Sequence, residues 1–166
     1  GGVLSLQIER DGAVLAQQVD LDEGFLQDFM NNVLLFYTGI RRSASDVIRD
    51  QSTSLAANEP DVTAAMHAVK AIGHEVDAVL QRKDLKALGT LLDRHWLAKR
   101  SLSNRVSSYD IDRWYGIGKA SGAIGGKLIG AGGGGFLMFC GADGHDSRGR
   151  LVEAMASQGL SLLRLG

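Results

Sequence analysis

The sequence predicts an α+β fold: a mainly antiparallel sheet with helices packed on one face, preceded by a β-hairpin. Three observations predict it. Apolar alternation and short apolar runs with strand character fall near both ends of the chain. The middle, from Ser43 to Ser121, follows a helical period broken only at a few polar stretches. A run of four glycines, Gly132 to Gly135, then joins two apolar runs that each read as a strand. Strands outside and helices inside suit helices laid against an antiparallel sheet.

The elements follow in order. Leu4, Leu6 and Ile8 alternate with Ser5, Gln7 and Glu9, and Asp11-Gly12 turns the chain into Ala13–Val19, a hairpin signal. A polar segment leads to Val33–Thr38 (VLLFYT), a continuous apolar run suited to a buried central strand. Gly39 ends it, and Ser43 with Asp46 has capping-box spacing, which predicts a helix from there to about Ser52. After Pro60, the positions Val62, Met66, Val69, Ile72, Val76, Val79 and Leu80 predict a helix over Asp61–Arg82. Lys83-Asp84 breaks it, and Leu85, Leu88, Leu91, Leu92, His95 and Trp96 mark the next, to about Arg100. A helix over Asp110–Ser121, strands near Lys127–Ile129 and Phe136–Cys140, a helix over Ser147–Ser157 and a last strand over Leu160–Leu165 complete the order.

Composition narrows the function classes. The 166 residues are 45% apolar and 22% charged, the profile of one ordinary globular domain. A net charge of −1 gives no electrostatic case for a nucleic-acid partner or an anionic membrane surface. No apolar run approaches the roughly 20 residues of a membrane span. The single cysteine, Cys140, lies in the apolar FLMFC run, which reads as a buried small hydrophobe in a reducing cytoplasm. His67 and His74 lie on one helix face without a carboxylate or cysteine at ligand spacing, so no protein-caged metal is expected. The chain opens on Gly1-Gly2 directly before a strand pattern, which reads as a segment of a longer protein.

Thirteen of the 22 glycines fall between Gly116 and Gly149, so unusual backbone chemistry is concentrated there. Gly130, Gly132 and Gly135 satisfy G-x-G-x-x-G, but a dinucleotide fingerprint must open a helix and this one opens onto Phe136-Leu137-Met138-Phe139. A Walker loop fails as well, because Gly126-Lys127 is followed by Leu128 and Ser121 stands where the first glycine belongs. Two readings remain open: a structural turn under unusual crowding, or a strand–loop–strand cradle in which bare N–H groups hold an anion.

The run GGKLIGAGGGGFLMF resembles the third conserved motif of the GHMP kinases, the superfamily of galactokinase, homoserine kinase, mevalonate kinase and phosphomevalonate kinase. LLFYTGIRRSASDVIRDQ, HWLAKRSLSNRVSSYDIDRWY and GAIGGKLIGAGGGGF look like the bacterial branch that phosphorylates heptose 7-phosphate. The resemblance implies a ferredoxin-like C-terminal domain over residues 23–166. Residues 1–22 would then be a hairpin closing the preceding N-terminal kinase domain. It implies ATP and Mg2+ as cofactors, the ion bound mainly by nucleotide phosphates, a sugar phosphate as substrate, and that missing N-terminal domain as partner; self-association as a homodimer stays open. The family's serine- and glycine-rich phosphate loop and its catalytic aspartate precede this segment, so no catalytic residue is expected within it. A non-catalytic binding module of the same fold, or a galactokinase- or fucokinase-like specificity, are the alternatives.

By the same resemblance, Gly130, Ala131, Gly132, Gly133, Gly134 and Gly135 would complete the phosphate-handling surface through close backbone approach and pre-aimed N–H donors. Lys127 either adds positive charge there or is a solvated strand-edge lysine. Arg41 and Arg42 precede a helix start and either grip a sugar phosphate or form a solvated basic turn. Ser43 is a cap first and a ligand contact second, and Thr38 and Gly39 mark the strand end where ligands often sit. His95, Trp96 and Lys99 look like the family's HW-x-x-K segment; His95 and Lys99 share a helix face and would point into the substrate cleft, with Trp96 in the core.

Overall fold

The computed structural model describes residues 2–57, 59–141 and 145–163. The hairpin pairs β1 (Val3–Ile8) with β2 (Val14–Val19), antiparallel from Val3↔Val19 to Ile8↔Val14, as a two-stranded sheet of its own. Leu4, Leu6, Ile8 and Val14 are exposed on one of its faces.

The principal sheet has four strands in the order β4-β5-β3-β6, all antiparallel: β3 (Val33–Tyr37), β4 (Ala123–Leu128), β5 (Phe136–Gly141) and β6 (Ser161–Leu162). Leu34, Phe36, Leu137 and Phe139 alternate along the central strands and are buried, which is the period-two signature of one covered face. They form the larger core with Trp96, Ile111, Trp114, Tyr115, Leu151 and Met155 from the helices. Phe139 meets Phe36 edge-on at 6.2 Å and stacks on Tyr115 at 5.7 Å. A second cluster joins Val33 and Cys140 to Ile72, Val79, Leu88, Leu91 and Leu92. Cys140 is fully buried and its thiol donates to the Leu85 carbonyl at 3.3 Å.

The helices are α1 (Glu23–Asn32), α2 (Ala44–Ala56), α3 (Pro60–Gln81), α4 (Leu85–Arg100), α5 (Tyr109–Ala120) and α6 (His145–Ser157). None among the described residues is long and apolar enough to cross a membrane. Four expectations need correction. The polar segment before β3 is the helix α1. The Asp22 carboxylate accepts the Phe25 N–H at 2.7 Å, and Phe25 is buried. The Ser43–Asp46 capping box does not form. Ser43 is the N-cap residue, but its hydroxyl pairs with that of Ser45 at 2.7 Å, and Asp46 pairs with Arg49. Helix α2 runs past Ser52 to Ala56, and β4 begins at Ala123, four residues before Lys127. The end of the last predicted strand, residues 164–165, lies outside the described residues.

The early start of β4 has a physical cause. Helix α4 crosses β4 so closely that a methyl group on Gly125 would lie 1.9 Å from the Gly89 carbonyl oxygen, and one on Gly89 would lie 2.9 Å from the Ile124 side chain. Backbone meets backbone, which only glycine permits. Helix α5 secures the crossing: the Tyr115 hydroxyl donates to Asp93, and Lys119 sits 3.2 Å from the other Asp93 oxygen. Burial, and then Asp93, push the Tyr115 phenol well above its usual range, so it stays a donor.

Substituting Gly125→Ala should therefore destabilise the fold by about 3 kcal/mol in urea unfolding. Gly73→Ala, in α3 with open space around it, should stabilise it by about 0.5–1 kcal/mol. Equal effects at the two positions would contradict the crossing as described.

Candidate functional site

The loop between β4 and β5 has two halves. Its distal half is packed into the protein. A methyl group on Gly132 would lie 2.9 Å from the Val106 backbone, one on Gly133 2.9 Å from the Arg105 carbonyl, and one on Gly134 2.5 Å from the Ile40 carbonyl. The Gly133 N–H donates to the Val106 carbonyl at 2.8 Å and the Gly135 N–H to the Ile40 carbonyl at 3.0 Å. Crowding alone thus requires Gly132 to Gly134, and the structural reading holds for this half. Gly132, Gly133 and Gly135 also take positive φ, at 120°, 75° and 96°.

The proximal half is open. Gly130 is exposed at φ 85° and Ala131 is half-buried. Among the described residues neither N–H has an acceptor, whereas the N–H of Ile129 before them is bonded to the Phe136 carbonyl at 2.9 Å. Two donors on a positively curved loop suit an anion.

Thr38, at the end of β3, staples the loop. Its N–H and its hydroxyl both donate to the Gly135 carbonyl at 2.9 Å, and the hydroxyl accepts the Ile40 N–H at 3.3 Å. Gly39 makes the following turn at φ 72°. Arg42 runs its side chain along Gly133, where a methyl group would lie 3.2 Å from Cδ. Arg41 is exposed beside the Tyr37 hydroxyl, which favours its charged form. Ser43 pairs its hydroxyl with that of Ser45.

Helix α4 supplies the other wall. His95 and Lys99 are one turn apart, and both are half-buried over the end of β4. The Lys99 ammonium donates to the Gly130 carbonyl. Lys127, on the strand, places Nζ 3.5 Å from His95 Nε2. This joins the strand lysine to the helix pair, a grouping that spacing along the chain does not announce. Burial, then Lys127 and Lys99, push His95 down to about 4, so at neutral pH its ring is uncharged. Burial, then Lys99, push Lys127 down to about 8, and burial lowers Lys99 as well. Among the described residues neither lysine has a carboxylate within 4 Å. His95 Nδ1 is buried without a partner. An apolar cavity of about 190 Å³ between the hairpin base, α1, α3 and α4 is lined by other residues.

Residues 76–160, just over half of the chain, match the family described as GHMP kinases C terminal. The chain belongs to the GHMP kinase C-terminal family. The matched span of this GHMP domain holds His95, Lys99, Lys127 and the whole glycine loop, and leaves out the Arg41–Ser43 turn. The D-glycero-alpha-D-manno-heptose 7-phosphate kinase of Campylobacter jejuni is 27% identical over 84% of this chain and 40% of its own length. The L-fucokinase/L-fucose-1-P guanylyltransferase of Bacteroides fragilis is 27% identical over 66% of this chain and 12% of its own. The structure of L. major mevalonate kinase in complex with R-mevalonate superposes with a TM-score of 0.78 at 21% identity, covering 95% of this chain and 45% of that one. The GHMP domain therefore spans less than half the length of each.

The His95 environment makes a testable demand. Between its ordinary value of 6.5 and its folded value of about 4, the unfolded chain binds a proton that the folded one refuses. Stability should fall as pH is lowered through that window. With solvent screening of the half-exposed ring, the loss is on the order of 1 kcal/mol. Urea unfolding across the window should show this slope, and His95→Gln should flatten it. An unchanged slope in the variant would remove His95 as its source.

Proposed function

We propose that this domain is the C-terminal part of an ATP-dependent sugar kinase that phosphorylates a heptose 7-phosphate at a sugar hydroxyl, in the cytoplasm. The observation that carries the reading is the juxtaposition of free loop donors with two lysines that lack a counter-charge. Kinship to the Campylobacter heptose 7-phosphate kinase over most of the chain supports the substrate class.

In this reading the N–H groups of Gly130 and Ala131 face phosphoryl oxygens. The crowded half, Gly132 to Gly135, holds them in place without reorganisation, the condition under which fixed dipoles stabilise developing charge. Lys99 fixes the loop through the Gly130 carbonyl and faces the same charge. Arg41 and Arg42, at the start of α2, are available to the sugar phosphate, with Thr38, Gly39 and Ser43 shaping that edge. Among the described residues no group of three or more His, Cys, Asp or Glu side chains could cage a metal. Mg2+ would be held mainly by the nucleotide phosphates, where it would neutralise charge. The phosphate loop and the aspartate that takes the hydroxyl proton would come from a preceding N-terminal domain, whose sheet the 1–22 hairpin would complete. The match to the fucokinase favours a second reading with the same chemistry on another sugar.

The full-length protein should turn over ATP with heptose 7-phosphate. Lys99→Ala should lower kcat/KM by about 10- to 100-fold, the scale of one or two charge-assisted hydrogen bonds. If a panel of sugars and sugar phosphates yields no ADP, the kinase reading is wrong.

A further inference from the structure

Three lysines among the described residues are half-buried: Lys99, Lys119 and Lys127. Lys119 has its acid, Asp93, at 3.2 Å. The neighbouring arginines have theirs as well, Arg94 on Glu75 at 2.6 Å and Arg100 on Asp112 at 2.7 Å. Lys99 and Lys127 lie on one wall, and what they touch is a carbonyl oxygen and a neutral imidazole. Partial burial of two ammonium groups without a counter-charge is unfavourable, and a folded protein tolerates it where a mobile anion completes the site. The wall carries +2, because His95 is uncharged at neutral pH. A phosphate monoester carries about −1.5 to −2 there, with three terminal oxygens for several donors. A carboxylate or a monovalent anion would leave half of the charge unmatched.

We infer that Lys127, Lys99 and His95, beside the open N–H groups of Gly130 and Ala131, form a binding site for a terminal phosphate dianion, with Lys127 as the residue that selects phosphorylated ligands. The inference deepens the kinase reading and rests on it only for the source of the dianion, which is the phosphate of the sugar phosphate or the terminal phosphate of the nucleotide. His95 accepts from Lys127 through Nε2 and so positions that ammonium. Lys99 divides its three donors between the Gly130 carbonyl and the anion.

Isothermal titration of the full-length protein tests this, first with inorganic phosphate and with nitrate, then with heptose 7-phosphate, the unphosphorylated heptose, ADP and a non-hydrolysable ATP analogue. Phosphate should bind and nitrate should not. Lys127→Met should weaken phosphate about 10- to 100-fold, and Lys127→Arg should retain it within about five-fold. Met removes a half-buried charge at similar volume, so the variant should fold at least as stably as the parent, and Lys99→Met repeats the test from the helix side. A selective loss for heptose 7-phosphate over the free heptose assigns the site to the sugar. A selective loss for the ATP analogue over ADP assigns it to the nucleotide. Either supports the dianion site. If the Met variants bind phosphate as the parent does, or if free heptose weakens by the same factor, the site is refuted. The kinase reading fails separately, when no sugar is phosphorylated while phosphate binding still depends on Lys127.

Discussion

Everything at the candidate site depends on how closely α4 crosses β4. The approach of Gly125 to the Gly89 carbonyl leaves no room for a side chain on either element. Because the helix lies directly on the strand, the residues about two and three turns further along it, His95 and Lys99, arrive over Lys127 and the start of the loop. A helix held off by even a single methyl layer would carry Lys99 away from the Gly130 carbonyl. The Asp93–Tyr115–Lys119 group pins the same crossing from α5, with burial keeping the phenol protonated and donating.

The glycine loop answers a packing demand and, in the proposed reading, an anion-binding one. Gly132, Gly133 and Gly134 are glycine because the backbones of Val106, Arg105 and Ile40 occupy the space a side chain would need. That packing, with the Thr38 staple on Gly135, makes the loop rigid. In the proposed reading, that packing would let the two unpartnered donors at Gly130 and Ala131 act as fixed dipoles, since donors already held in place need no reorganisation when charge develops. Crowding and the proposed anion binding are thus compatible, a foundation and what would stand on it, rather than rival explanations of the same residues.

The hairpin, β3 and the helices from Pro60 onward are legible in the sequence, because apolar periodicity over a long segment reports burial directly. What escapes is set by tertiary contact. Helix α1 has a cap in Asp22 and an apolar pair in Phe25 and Phe29. Yet it contains Gly24, ends in Asn31-Asn32 and passes into β3 without a turn, so no local boundary marks it. Gly125 and Gly126 read as loop residues because glycine is weak in strands; only the backbones crossing them explain their place in β4. The HW-x-x-K spacing puts His95 and Lys99 on one helix face. That Lys127 joins them follows from packing between segments about thirty residues apart, which no periodicity encodes.

The central claim is that the open half of the loop and the lysine wall meet phosphate. A crystal structure of the full-length protein with a non-hydrolysable ATP analogue and a sugar phosphate tests it most directly. A phosphate oxygen should lie about 3 Å from the Gly130 or Ala131 nitrogen, with Lys127 or Lys99 in contact with the same group. Both phosphate-bearing ligands seated away from this loop, with its N–H groups still facing solvent, would contradict it.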